Sequence, residues 1–244
     1  MPLHTSLSQA SFIAAIAASV IGTYIGLTPP NPGTSAIPKT GDFLRTVGVT
    51  GNHGANLFIA PLSILALHAC ALAYFHPRGP LPRWILLHGA ENGNGRLNRN
   101  LITWSPATAV PLALLLCVGI PLRLIAYSSL GKNFTFTLAE PDRLTTTGVY
   151  GFVQHPSYVG LVALFLGHAA LLYRIDGVLS CWIPSRWYRT ARRLGWLALP
   201  VGLLVLATGV WTRVVQEERM LADEFGGEWE RWHARTARFI PGVF

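Results

Sequence analysis

Apolar positions gather into five long runs separated by polar joints. The runs are Leu7–Leu27, Leu57–Phe75, Leu101–Tyr127, Tyr158–Tyr173 and Leu194–Thr212. A helix needs about 20 apolar residues to cross a bilayer, so this pattern predicts an all-α polytopic membrane protein with about five transmembrane helices. The third run is interrupted by Pro106, Pro111 and Pro121, and the fifth holds Pro200. Spanning helices tolerate proline where neighbouring groups satisfy the freed carbonyls. The fourth run is short unless its helix begins earlier. The first run is read as a retained helix rather than a cleaved leader. Met1–Gln9 carries no Lys or Arg, and no clear small-residue cleavage site follows.

The joints are of different kinds. Thr28–Asn56 is rich in Pro and Gly and reads as an extramembrane loop, and His88–Asn100 is rich in Gly and Asn. Trp182–Arg193 sets four Arg among Trp182, Trp187 and Tyr188, the composition of an interfacial segment. No internal repeat or separable soluble domain is evident. The chain is expected to be one integral-membrane domain, with helices in 1–119 and the chemistry in 120–244.

Composition supports the membrane reading. Of 244 residues, 51% are hydrophobic and 12% charged, and mean hydropathy is +0.39. Soluble domains carry about 25% charged residues. The net charge of +8 sits on too lipophilic a chain for a nucleic-acid partner and is assigned to anionic headgroups. Cys70, Cys117 and Cys181 suggest neither a disulfide framework nor a metal site. With five spans, nine Lys and Arg fall on one side and ten on the other, so the positive-inside rule leaves orientation open.

Two polar stretches carry the candidate chemistry: Gly131–Tyr158 and the tail Arg213–Phe244, where most acidic residues sit. Two spans lie between them, so both emerge on one side if those spans are real. Arg213 and Glu217 are four apart and share a face if the fifth helix continues. They form either an ion pair at a solvated helix end or a cationic site with a carboxylate beside it. In His155-Pro156-Ser157-Tyr158, Pro156 puts His155 just before a helix start, where it is either a structural cap or one wall of a ligand pocket. Gly148 reads as a turn residue ahead of Tyr150. His68 and His168 are assigned to packing or helix–helix hydrogen bonds. Trp104, Trp196 and Trp211 read as interfacial belt residues. Trp229 and Trp232 either cover a pocket or lie on the membrane. Gly131-Lys132-Asn133 lacks P-loop spacing, and the ending Pro241–Phe244 is no prenylation box.

Taken together, the stretches resemble a known family. Leu144–Gly160 (LTTTGVYGFVQHPSYVG) resembles L-x-x-x-G-x-Y-x-x-x-R-H-P-x-Y-x-G. The tail EERMLADEFGGEWERWHARTARFIP resembles E-E-x-x-L-x-x-x-F-G-x-x-[YW]-x-x-[YW] with a basic-apolar ending. In this order, one helical hairpin apart, they are similar to the isoprenylcysteine carboxyl methyltransferases. More broadly they resemble the integral-membrane methyltransferases that include phospholipid methyltransferases. The motif-bearing resemblance covers roughly residues 120–244.

The resemblance implies S-adenosylmethionine as cofactor, in a cytosolic pocket closed by the tail. Carried over by position, the cofactor site takes Asp142, Arg143, Leu144, Thr145, Tyr150, His155, Pro156, Ser157, Tyr158 and Glu217. A further contact falls near Thr137 or Leu138. Arg213 would hold a substrate carboxylate, that of a prenylated cysteine entering from the lipid bilayer, and no metal is called for. Localisation in the endoplasmic reticulum is implied in the same way. One position departs from the pattern: the Arg before His-Pro is Gln154, a neutral amide at the expected reacting centre. That keeps two rivals open. One is methylation of a phospholipid amine or another lipophilic small molecule on the same scaffold. The other is a non-catalytic membrane scaffold or transporter.

Overall fold

In the computed structural model, residues 6–31, 52–76, 81–87 and 97–242 are described. Parts of three joints named above, at 32–51, 88–96 and 243–244, lie outside them. The apolar runs form helices α1 (Leu7–Leu27), α2 (Asn52–Phe75), α3 (Pro106–Ala113), α4 (Ile120–Leu130), α5 (Pro156–Leu171) and α6 (Ser185–Phe225), and α7 (Gly227–His233) follows in the tail. The described residues hold no named strand, only an isolated parallel bridge between Val153 and Ala237.

Prolines decide where several helices begin and bend. Pro106 opens α3 behind the extended Ser105, whose N–H donates to the Thr108 hydroxyl at 3.1 Å. Between α3 and α4 the chain makes a π-helical turn, Leu114–Gly119. Pro121 has no N–H to give the previous turn, and the wider turn absorbs the mismatch. Pro200 lies inside α6, which continues unbroken for 41 residues. Its polar flanks are rich in Arg, Glu and Ala, all good helix formers. The helix therefore outruns the expected span at both ends and stops only before Gly226, at φ +47°.

Among the described residues, four stretches are long and apolar enough to cross a membrane: Leu7–Leu27, Gly54–Phe75, Arg99–Asn133 and Ser185–Phe225. The fourth expected span corresponds to α5, which does begin earlier, at Pro156. It has 16 residues, about 24 Å of helix against an apolar core about 30 Å thick.

The chain divides into two compact units. The first comprises Met1–Thr23, Phe58–Cys117 and Ala163–Gly202. Its polar side chains stitch helices together. The Gln9 amide donates to the Ala73 carbonyl at 3.1 Å, Thr23 pairs with His168 at 2.9 Å, and the Trp182 indole donates to His68 Nδ1 at 2.7 Å. His68 Nε2 then meets the Ile85 carbonyl at 2.8 Å. Both histidines thus serve in hydrogen bonds between segments.

The second unit comprises Tyr24–Leu57, Val118–Val162 and Leu203–Phe244. Its core is Ala126, Phe134, Tyr150 and Trp232, with Tyr127, Phe136, Leu144 and Trp229 packed against it. Here α4 and α5 approach closely: a Cβ on Gly160 would stand 2.9 Å from the Gly119 carbonyl oxygen.

Candidate functional site

The second unit holds every residue singled out in the two polar stretches. Because α6 continues past its apolar run, Arg213 and Glu217 do share a face, and Arg213 Nε donates to Glu217 Oε1 at 3.1 Å. A second Arg213 nitrogen donates to the Phe136 carbonyl at 3.1 Å. Arg213 is 2% exposed, so this is no solvated surface pair. Glu217 Oε1 also accepts from the Tyr158 hydroxyl at 2.6 Å. Tyr158 stands at the third position of α5, where Pro156 has opened the helix.

His155, directly before that helix, faces two carboxylates. Nδ1 lies 3.6 Å from Glu217 Oε2 and Nε2 3.4 Å from Glu218 Oε1. Arg238 closes the other side of Glu218 with two bonds, at 2.8 and 3.1 Å. Burial alone would lower the His155 pKa, but hydrogen bonds and charges from Glu217 and Glu218 outweigh it and the pKa is raised above 6.5. Burial, helped by the Glu217 charge, likewise raises the Tyr150 hydroxyl above its usual range.

The tail is latched to the segment that precedes α5. The Gln154 N–H donates to the Ala237 carbonyl at 2.8 Å, and the His155 N–H to the Arg238 carbonyl at 3.0 Å. The Gln154 amide donates to the carbonyls of Thr236 and His233 and lies 2.9 Å from His233 Nδ1 through its oxygen. The Trp232 indole donates to the Tyr150 carbonyl at 2.8 Å, and Trp229 stacks on His233 with ring centroids 4.3 Å apart. Gln154 is therefore engaged with the tail through its backbone N–H and both polar atoms of its side chain.

The remaining expected residues divide. Leu138, Pro156 and Ser157 are buried; Leu144 and Thr145 are half-buried. Asp142 and Arg143 are exposed. Asp142 pairs with Lys132 at 2.6 Å, a contact that together with the Asn133 amide lowers its pKa. That pair belongs to the 131–133 turn and not to the Arg213–Glu217 cluster.

Sequence reasoning gave Glu218 no role and counted Arg123 only as a charge. Arg123 is 4% exposed, donates to Ser157 Oγ at 2.6 Å and lies over the Phe136 ring at 5.2 Å. The signal for it was present: one Arg inside an apolar run, a placement that in membrane proteins marks function.

Comparison with known proteins agrees with the resemblance carried by the two signatures. Residues 108–194 match the family model of phospholipid methyltransferases. The match contains the first signature but stops before the tail. Protein-S-isoprenylcysteine O-methyltransferase of Schizosaccharomyces pombe is 27% identical over 134 residues, covering 52% of this chain and 46% of that protein. The chain thus spans about half the length of this curated relative. No solved structure matches the chain.

Proposed function

We propose that the chain is an S-adenosylmethionine-dependent membrane methyltransferase acting on the carboxylate of a prenylated cysteine. The observation that carries the reading is the cluster of buried Arg213 and His155 with half-buried Glu217 and Tyr158, built jointly from the two signatures. Helical hydrophobicity and the two family similarities support it.

The residues present suit the cofactor. Thr145 Oγ1, Trp229 Nε1 and Thr236 Oγ1 are buried without a hydrogen-bond partner. With the Glu217 carboxylate and the Tyr150 cluster, they offer polar partners and apolar walls to a ligand with amino-acid and nucleoside ends. When bound, S-adenosylmethionine supplies an electrophilic sulfonium methyl group. Glu217 would hold its ammonium group or ribose hydroxyls, with Tyr158 fixing the Glu217 rotamer. The surrounding residues Leu138, Leu144, Thr145 and Tyr150 would line the site. Arg213 would orient the acceptor carboxylate, which is already ionised near pH 7 and needs no general base. The protein's contribution is alignment and partial exclusion of water. The prenyl chain would enter from the bilayer and the cofactor from the cytosol, at the endoplasmic reticulum.

A second reading, methylation of a phospholipid amine, draws support from the name of the matching family. One assay separates the two: radiolabelled methyl transfer in membranes containing the chain, with N-acetyl-S-farnesylcysteine as acceptor and Arg213→Ala as control. Base-labile label that disappears with Arg213→Ala supports the carboxylate. Cofactor binding without transfer to this acceptor, with base-stable label appearing in lipid, supports the amine. Absence of cofactor binding refutes both and returns the chain to a non-catalytic role.

A further inference from the structure

Arg123 is the buried cation that the reading above leaves unused. It sits inside the apolar stretch Arg99–Asn133, where an ionised side chain is strongly disfavoured unless it has a counter-charge or a function. Its Nε donates to the Gly26 carbonyl at 2.8 Å, Nη1 to Ser157 Oγ at 2.6 Å and Nη2 to the Tyr127 hydroxyl at 2.7 Å. The rings of Tyr127, Phe134 and Phe136 lie 5.1, 5.9 and 5.2 Å from its guanidinium carbon. Every one of these partners is neutral. Among the described residues, Arg213 has Glu217 and Arg238 has Glu218, but no carboxylate pairs with Arg123.

Neutral hydrogen bonds and π-faces can hold a guanidinium in place for structural reasons alone. Two features argue for more. A guanidinium has five N–H donors, and three are engaged, so among the described residues two have no acceptor and the charge has no carboxylate beside it. Arg123 also converges with Arg213 on one residue: it covers the ring of Phe136 while Arg213 binds the carbonyl of Phe136. Its partner Ser157 lies next to Tyr158, the residue that holds Glu217.

We propose that Arg123 binds the oxyanion of the lipophilic acceptor beside Arg213, and so makes the site selective for acidic over neutral head groups. This rests on the methyltransferase reading. The planar fork of arginine suits two oxygens of one carboxylate or phosphate. Gln154, neutral and committed to the tail, has no such capacity. The acceptor's oxyanion supplies the counter-charge that the protein withholds.

The test uses the full chain in nanodiscs of neutral lipid. Binding is measured for N-acetyl-S-farnesylcysteine, for its primary amide and for farnesyl phosphate, with S-adenosylmethionine binding followed in parallel. Wild type is expected to bind the acid at least about tenfold more tightly than the amide. Arg123→Gln, with Arg213 still in place, is expected to cut that preference at least about threefold and leave cofactor affinity unchanged. Stronger Arg123-dependent binding of farnesyl phosphate would identify the oxyanion as a phosphate head group and support the same role. Equal binding of acid, amide and phosphate by wild type overturns the proposal, as does a preference undiminished by Arg123→Gln. Loss of cofactor affinity with the acid-to-amide ratio intact also overturns it, since Arg123 would then serve the cofactor. Should Arg123→Gln not fold, Arg123→Lys keeps the charge and loses the fork. It is expected to weaken the acid and spare the amide, and wild-type affinity for the acid in that variant overturns the proposal. Failure of the underlying reading is distinct: wild type would then bind no cofactor.

Discussion

Replacing Gln154 by Ala tests whether the tail is held by this one amide. The side chain contributes three hydrogen bonds to the tail: two to the carbonyls of His233 and Thr236 and one with His233 Nδ1. A net hydrogen bond is worth about 1 kcal/mol, so Ala costs the docked tail about 3 kcal/mol, or about 150-fold in its opening equilibrium. The backbone bonds from Gln154 and His155 to Ala237 and Arg238 remain available, as does the Trp232 indole bond to Tyr150. The tail should therefore loosen rather than unfold. Hydrogen exchange read by mass spectrometry on the protein in detergent should show the amides of Gln154 and His155 exchanging about 100-fold faster. Amides in the middle of α6 should be unaffected. His233→Ala, which removes only the third bond, should accelerate the same amides by about fivefold. A folded Gln154→Ala protein whose exchange at Gln154 and His155 matches wild type would refute the latch.

Two further expectations concern stability. The His155 pKa is raised above 6.5 by Glu217 and Glu218 against the opposing effect of burial. A raised folded-state pKa gives stability that is full below about pH 6.5 and is lost as pH rises through the folded value. Thermal midpoints of the cofactor-free protein should therefore fall above pH 6.5 relative to a His155→Gln variant, and parallel curves for the two would show that folding leaves the His155 pKa unshifted. Gly160→Ala places its Cβ 2.9 Å from the Gly119 carbonyl oxygen and 3.1 Å from Arg123 Cγ, where backbone must move to make room. A loss of about 1–3 kcal/mol, read as a lowered midpoint, is expected; an unchanged midpoint would mean that α4 and α5 separate freely.

The apolar runs announced the helices because length and hydrophobicity alone decide spanning segments. Their ends were less legible. Arg186, Arg189, Arg192 and Arg193 read as an interfacial joint, yet they lie within α6, because arginine is a good helix former and the flank carries the span's helix onward. The relation of Arg213 to Glu217 could be read because four residues make one helical turn. The pairing of Gln154 with the tail could not, since it joins segments about 80 positions apart through main-chain carbonyls that leave no mark on sequence. Arg123 was visible as a charge among apolar residues, but only the fold puts it against Ser157 and Phe136.

The tail is gripped largely by its main chain. The groups that Gln154 and His155 engage include the carbonyl oxygens of His233, Thr236, Ala237 and Arg238, and every amino acid possesses one. Substitution at a position such as Ala237 would leave its bond to Gln154 in place, provided the backbone path is kept. The terminal segment is thus free to drift in evolution while its docking persists, with Trp232 and the Gln154–His233 pair acting as the anchors that set the register.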